Sequence, residues 1–120
     1  MNKDSLIAID AASKAWEERF NEQTGVTLHR KELYIDPDTG MEVRIVRYPK
    51  GFVNPLHTHH CAHGMYVLEG ILQTHEGRYG PGHFVWFPEG GRMEHGATAE
   101  QDVTVLFITN KPFDIHYQQK

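Results

Sequence analysis

The sequence contains a single cysteine, Cys61, among its 120 residues. One thiol excludes a disulfide within the chain, so the fold has to be stabilised by its core. A chain of this length buries about two-thirds of the surface that its unfolded form exposes, which makes such a core possible. The lack of disulfides also predicts a reducing, cytoplasmic location.

Basic charge and long apolar runs are scarce as well. The chain has 12 lysines and arginines against 16 aspartates and glutamates, and its formal net charge is -4. A nucleic acid or an anionic membrane surface needs a basic patch, so neither is an expected partner. No window approaches the length of a membrane span, and residues 1–10 lack the apolar core of a signal peptide.

Helical periodicity is confined to the beginning of the chain. Trp16 and Phe20 stand four residues apart within Ser5–Asn21, a stretch with several alanines and glutamates, and this spacing places them on one face of a helix. We therefore predict a short N-terminal helical segment within residues 1–25. Its two aromatic residues would anchor it on a sheet or on a partner subunit.

From residue 26 onward the pattern changes to short alternating runs that are separated by glycine and proline. Met41–Tyr48 alternates with a period of two, as a half-buried strand does. Gln101–Thr109 carries apolar residues on both faces, which predicts a strand in the middle of a sheet. Seven to nine such strands predict an all-β sandwich or barrel over residues 26–120, in one domain overall.

Four of the nine histidines fall within seven residues, at His57, His59, His60 and His63. Residues two apart in an extended strand point to the same side, so His57 and His59 can present two imidazoles to one point. By the same rule His60 faces away. His63 follows four residues after His59 and begins the next apolar run. A metal held by two residues of one strand and the first residue of the next explains this spacing.

A fourth nitrogen ligand has to come from elsewhere in the chain. His95 is the best candidate, because it follows an aromatic strand and a Pro-Glu-Gly-Gly turn that can bring it back over His57 and His59. His83 begins the aromatic strand and fits a surface position better. Neutral imidazole suits zinc, copper, nickel and iron, and it also serves manganese.

Two arginines of one predicted strand, Arg44 and Arg47, have opposite parity. At most one of them can therefore face the interior. An inward arginine would suit a carboxylate substrate, whereas an exposed arginine is the ordinary outcome.

The stretch from Gly51 to Gly70 resembles the first motif of the cupin family, small β-barrels that hold a metal in the barrel mouth. In that motif a glycine stands six residues before the first histidine, a second histidine follows two residues later, and an acidic residue follows four after that. Gly51, His57 and His59 match, and Gly70 matches the closing glycine. His63 occupies the acidic position, so this chain departs from the family pattern there.

The second cupin motif is matched by Gly82, Pro88 and Gly90. The family's histidine would fall at position 93, where this chain has Met93. The nearest histidine, His95, is displaced by two residues, and a longer turn before the strand would account for the shift.

The resemblance implies a double-stranded β-helix (jelly roll) barrel, often a homodimer, with a divalent transition metal and a small-molecule ligand in the barrel cavity. Carried onto this chain, the ligand set is His57, His59, His63 and His95, and zinc, iron, nickel or manganese all remain open. The leading expectation is a metal-dependent enzyme of a dioxygenase or related type. The alternative is a non-catalytic cupin whose metal is structural or sensory, because four histidines on a tetrahedral zinc would close the site.

Overall fold

The computed structural model describes residues 5–113 and 116–117. In this part of the chain a single 3₁₀ turn at Ala11–Ser13 precedes eleven strands. The strands are β1 (Glu17–Asn21), β2 (Val26–Ile35), β3 (Glu42–Tyr48), β4 (Val53–Thr58), β5 (His63–Glu69), β6 (Leu72–Thr74), β7 (Arg78–Tyr79), β8 (Phe84–Phe87), β9 (Met93–Ala97), β10 (Val103–Thr109) and β11 (His116–Tyr117). Within these described residues, no helix is long and apolar enough to cross a membrane.

The strands form two antiparallel sheets that enclose the core between them. One sheet has the order β1-β2-β3-β10-β5-β8, and the other has the order β11-β4-β9-β6-β7. Consecutive strands such as β4 and β5 fall in different sheets, as they do in a jelly roll. The predicted all-β fold, a double-stranded β-helix, is therefore confirmed.

Strand β10 lies between β3 and β5, at the centre of the larger sheet. Its residue Val105 is paired with Val46 on one side and with Val67 on the other, and all three side chains are buried. Leu106 points to the opposite face and is only half-buried. The prediction of a central strand, which rested on apolar residues on both faces, is confirmed.

The core is built from inward-facing strand residues of both sheets. Full burial of one large aliphatic or aromatic side chain stabilises a fold by about 1.5–3 kcal/mol. The core therefore supplies most of the free energy that drives folding. Its buried members are Val46, Tyr48, Phe52, Met65, Val67, Leu72, Phe87, Met93, Ala97, Val103, Val105 and Phe107.

The predicted N-terminal helix over Ser5–Asn21 is corrected by the structure. Helical geometry is limited to the 3₁₀ turn at Ala11–Ser13, and Glu17–Asn21 is the edge strand β1. Backbone pairing with β2 outweighs the local helical preference, since tertiary context overrides propensities of a few tenths of a kcal/mol per residue. Phe20 is 64% exposed. Trp16 lies against the cationic groups of Lys31 and Arg47, at 4.7 Å and 4.5 Å from its ring centre.

Candidate metal centre and adjoining cavity

His57 and His59 enter the space between the sheets from the end of β4. Their exposed fractions are 0% and 1%, whereas His60 is exposed. Strand parity therefore predicted correctly which of the three side chains point inward and which points outward, although His59 lies just beyond the last residue of β4. The two inward rings are close, with centroids 4.7 Å apart.

A bulge in β4 determines which face His57 occupies. In the pairing with β9, Asn54 lies opposite His95 and His57 lies opposite Met93, so three steps along β4 match two along β9. The extra residue resets the alternation, and both Asn54 and His57 are buried as a result.

The ring of His57 is oriented by the backbone beside it. Its Nδ1 donates a hydrogen bond to the carbonyl oxygen of Pro55, 2.5 Å away. This bond fixes the proton on Nδ1 and leaves the lone pair on Nε2, as in many metal-binding histidines. The Nε2 atom of His57 lies 3.1 Å from Nε2 of His95.

His95 reaches the same point from β9 and is 2% exposed. Nitrogen atoms of His57, His59 and His95 all lie within 4.8 Å of one another. Met93, at the position where the cupin motif has its histidine, is 1% exposed and belongs to the core. A shift of two residues along a strand keeps a side chain on the same face, so His95 still points inward.

His63 stands beside this group, on the other sheet. It begins β5 and is fully buried, and its ring stacks on Phe87 at 4.7 Å between centroids. Its ring centre is 4.8 Å from that of His59 and 5.8 Å from that of His95. Neither ring nitrogen of His63 has a hydrogen-bond partner among the described residues. The structure therefore brings three of the four predicted side chains into one tight group and places the fourth against it.

Burial keeps the imidazoles of His57, His63 and His95 neutral. It lowers the pKa of His57 to about 4 and that of His63 to about 3, and it lowers the pKa of His95 well below 6.5. The neighbouring histidines add to each shift by mutual repulsion. Neutral imidazole is the form that binds a metal.

The residues fit a divalent transition metal. Two imidazole nitrogens at about 2.0–2.1 Å from one metal lie roughly 2.9–3.4 Å apart, and the separation of 3.1 Å between the Nε2 atoms of His57 and His95 falls in that range. A bound metal would also give a partner to one of the two buried ring nitrogens of His63, neither of which has a hydrogen-bond partner among the described residues. Unpaired polar atoms of this kind are rare in protein interiors.

The backbone conformation explains why glycine stands at both ends of the histidine stretch. Gly51 and Gly70 both have a φ of +80°, in the left-handed region that favours glycine. A side chain at Gly70 would in addition collide with the carbonyl oxygen of Asp102. The two glycines therefore allow the sharp turns by which the chain enters β4 and leaves β5.

His83 and Cys61 do not belong to the histidine group. His83 is exposed and its Nδ1 donates to the carbonyl oxygen of Gly80 at 2.9 Å, so it occupies the surface position expected for it. Cys61 is fully buried and forms no disulfide.

A cavity of about 380 Å³ adjoins the histidine group, with His95 in its wall. Arg44 is the inward member of the arginine pair on β3 and is 6% exposed, whereas Arg47 points outward to Trp16. Arg30 on β2 also lines the cavity. Arg30 was not predicted as a site residue, although it shares strand parity with Leu28, another residue of the wall, and this was a usable signal.

Comparisons with known proteins agree with this architecture. The family model of the ChrR Cupin-like domain matches residues 5–114. No curated protein matches the sequence.

Three solved structures illustrate the range of similar proteins. The polyketide cyclase RemF from Streptomyces resistomycificus is 17% identical with a TM-score of 0.74, over 97% of this chain and 87% of that chain. A candidate dioxygenase from Nostoc punctiforme is 18% identical with a TM-score of 0.80, over 93% of this chain and 41% of that one. The complex of Rhodobacter sphaeroides SigE with the anti-sigma ChrR gives 20% identity and a TM-score of 0.64, over 78% and 49%. At these identities the similarity shows the fold.

Proposed function

Because the chain belongs to the ChrR cupin-like family, we propose that it is a metal-binding cupin that receives a small organic molecule beside its metal. The proposed ligands are His57, His59, His63 and His95. The observation that supports the ligand set best is the enclosed group of buried imidazoles, three of which have nitrogens within 4.8 Å of one another.

The cavity favours a metal-dependent enzyme over a purely structural metal site. About 380 Å³ of space reaches His95, and much of its wall is apolar. Such a cavity is at the small end of the range for organic ligands. The reaction type that we propose first is a dioxygenase-type or related oxidoreductase reaction.

The residues of the chain have separate tasks in this function. The Pro55 carbonyl holds the His57 ring so that its Nε2 faces the site. Tyr48 and Phe107 line the cavity and limit the access of water. A bound zinc, iron, nickel or manganese ion would supply Lewis-acid or redox chemistry at the histidine group.

A sensory or structural metal site is the second candidate function. The similarity to the complex that contains the anti-sigma ChrR favours it, and so does the all-nitrogen ligand set, which can close around a tetrahedral zinc. The two functions differ in whether the metal keeps a position for water or substrate.

Elemental analysis of protein purified without a histidine tag tests the site. The wild-type chain and the exposed control His60→Ala should carry about one metal per chain, and the double variant His57→Ala/His59→Ala should lose it. Stoichiometric metal in the folded double variant would refute the ligand set. X-ray absorption then separates the two functions. Iron, nickel or manganese with a bound water supports the enzyme, whereas zinc with four protein ligands and no water would reject it.

A homodimer through the outer face of the larger sheet completes the proposal. Tyr66 and Leu68 of β5 are 42% and 41% exposed, and Phe84 and Trp86 of the edge strand β8 are 57% and 52% exposed. An exposed patch of four large apolar side chains is typical of an interface. Light scattering should find a dimer that the variant Phe84→Ser/Trp86→Ser converts to a monomer. The variant Leu6→Ser, at a position that is 93% exposed, should remain dimeric.

A further inference from the structure

Arg44 is the most enclosed charged residue in the wall of the cavity. Its guanidinium lies 5.0 Å from the ring centre of Phe107 and 4.6 Å from that of Phe113. Its Nη2 donates to Glu42 at 3.3 Å, while its buried Nε has no hydrogen-bond partner among the described residues. The side chain is therefore held by these contacts while at least its Nε donor is unused.

Arg30 is a second arginine of the cavity wall with an unused donor. It lines the same cavity from β2, and its buried Nε also lacks a partner in the described part of the chain. Burial lowers the pKa of Arg30, and the positive charge of Arg44 lowers it further. Two guanidinium groups on one wall repel each other, and an anion between them would remove that repulsion.

Among the described residues, no carboxylate accepts a hydrogen bond from the Nε of Arg30 or Arg44. Glu42 occupies only Nη2 of Arg44. Glu32 lies opposite Arg44 in the register of β2 and β3 and attracts both arginines. Among the described residues, however, neither of its buried oxygens accepts a hydrogen bond, and burial raises its pKa. Among the described residues, the acidic member of the wall is Glu22, which is exposed.

We propose that the cavity binds a small organic carboxylate. Its carboxylate group pairs with Arg30 and Arg44, and its body extends along the apolar wall toward His95. The planar fork of a guanidinium matches a carboxylate through two parallel hydrogen bonds, which makes arginine the suitable partner. The apolar wall consists of Phe20, Leu28, Val46, Phe107 and Phe113. This assignment rests on the proposed function, because it makes the carboxylate the molecule that is presented to the histidine group.

Calorimetric titration of the zinc-loaded protein tests the assignment. The probes are acetate, butanoate, hexanoate, benzoate and 3-phenylpropanoate, each compared with its primary amide, together with inorganic phosphate. At least one carboxylate should bind more tightly than its amide, and Arg44→Gln should weaken that binding by about tenfold or more. Arg47→Gln is the matched control, because Arg47 lies on the same strand but points to the outer face.

Several results would overturn the assignment. One is the lack of any preference for a carboxylate over its amide. Another is carboxylate binding that is equally tight in Arg44→Gln, as expected if the probe merely binds the zinc. Tighter binding of phosphate than of every carboxylate would also reject the carboxylate class. If Arg44→Gln does not fold, the less buried Arg30→Gln takes its place with the same expected loss.

Metal content separates this inference from the proposed function. Arg30→Gln and Arg44→Gln should retain stoichiometric metal, since neither arginine is a proposed ligand. Retained metal without carboxylate preference would refute only the inference. Arginine-dependent carboxylate binding in a chain that binds no metal would refute only the metal-dependent function.

Discussion

Acidification should destabilise the metal-free protein, because three buried imidazoles resist protonation in the folded state. The pKa of His57 is lowered to about 4, that of His63 to about 3, and that of His95 well below 6.5. In the unfolded chain all three groups titrate near pH 6.5. Below that pH the unfolded state binds more protons than the folded state. The stability that is present at pH 7 is therefore lost as the pH falls, until the folded state itself takes up protons.

The size of the effect follows from these pKa values. Between pH 7 and pH 5, a histidine that is protonated only in the unfolded state lowers the free energy of unfolding by about 1.9 kcal/mol. His57 and His63 together therefore lower it by about 4 kcal/mol, and His95, whose pKa is also lowered, adds to this loss. Single domains typically have a free energy of unfolding of about 5–15 kcal/mol, so this loss is a large part of the total.

Urea denaturation in the presence of a chelator measures this loss at pH 7, 6 and 5, with tryptophan fluorescence as the signal. The variant His63→Gln should lose about 1.9 kcal/mol of the pH dependence, whereas His60→Gln, at an exposed position, should retain the wild-type dependence. An unfolding free energy that stays constant from pH 7 to pH 5 would refute the reasoning. A slope in His63→Gln as steep as that of the wild type would refute the part assigned to His63.

The remaining predictions concern the strand that carries His95 and the thiol beside the histidines. In Gly96→Ala the new Cβ would collide with the carbonyl oxygen of Phe52. We expect a loss of about 1–3 kcal/mol and a lower metal content, measured by thermal unfolding and elemental analysis. Gly80→Ala is the control, because its new Cβ would meet no atom within 4 Å among the described residues beyond its chain neighbours. Equal stability of the two variants would contradict the prediction. Cys61 is 0% exposed, so a thiol reagent should label it only after denaturation. Rapid labelling of the folded protein would show that its surroundings open.

The strands of the barrel were predictable from the sequence because their signals are local. Alternation with a period of two identifies β3, and apolar residues on both faces identify the central strand β10. The segment Glu17–Asn21 shows the limit of such signals. Its composition favours a helix, but its pairing with β2 depends on residues beyond the next turn, and local propensity contains no information about that pairing.

The candidate site was also predictable from the sequence only in part. Parity alone predicted that His57 and His59 point inward and that His60 points outward, and the structure agrees. The bulge between Asn54 and His57 was not predictable, since it is seen only in the register of β4 against β9. Parity also indicated that at most one arginine of β3 faces inward. Which one it is, Arg44, depends on the face that β3 presents to the core.

His63 connects the histidine group to the larger sheet. His57 and His95 come from the smaller sheet, whereas His63 comes from the larger one, so the group bridges the two layers of the fold. Both buried ring nitrogens of His63 lack a hydrogen-bond partner in the described part of the chain, and each such atom costs about 1–3 kcal/mol. A carboxylate at this position would carry its charge into the same enclosed space. A neutral imidazole avoids that charge, but it gains a bonding partner there only when a metal joins the two sheets.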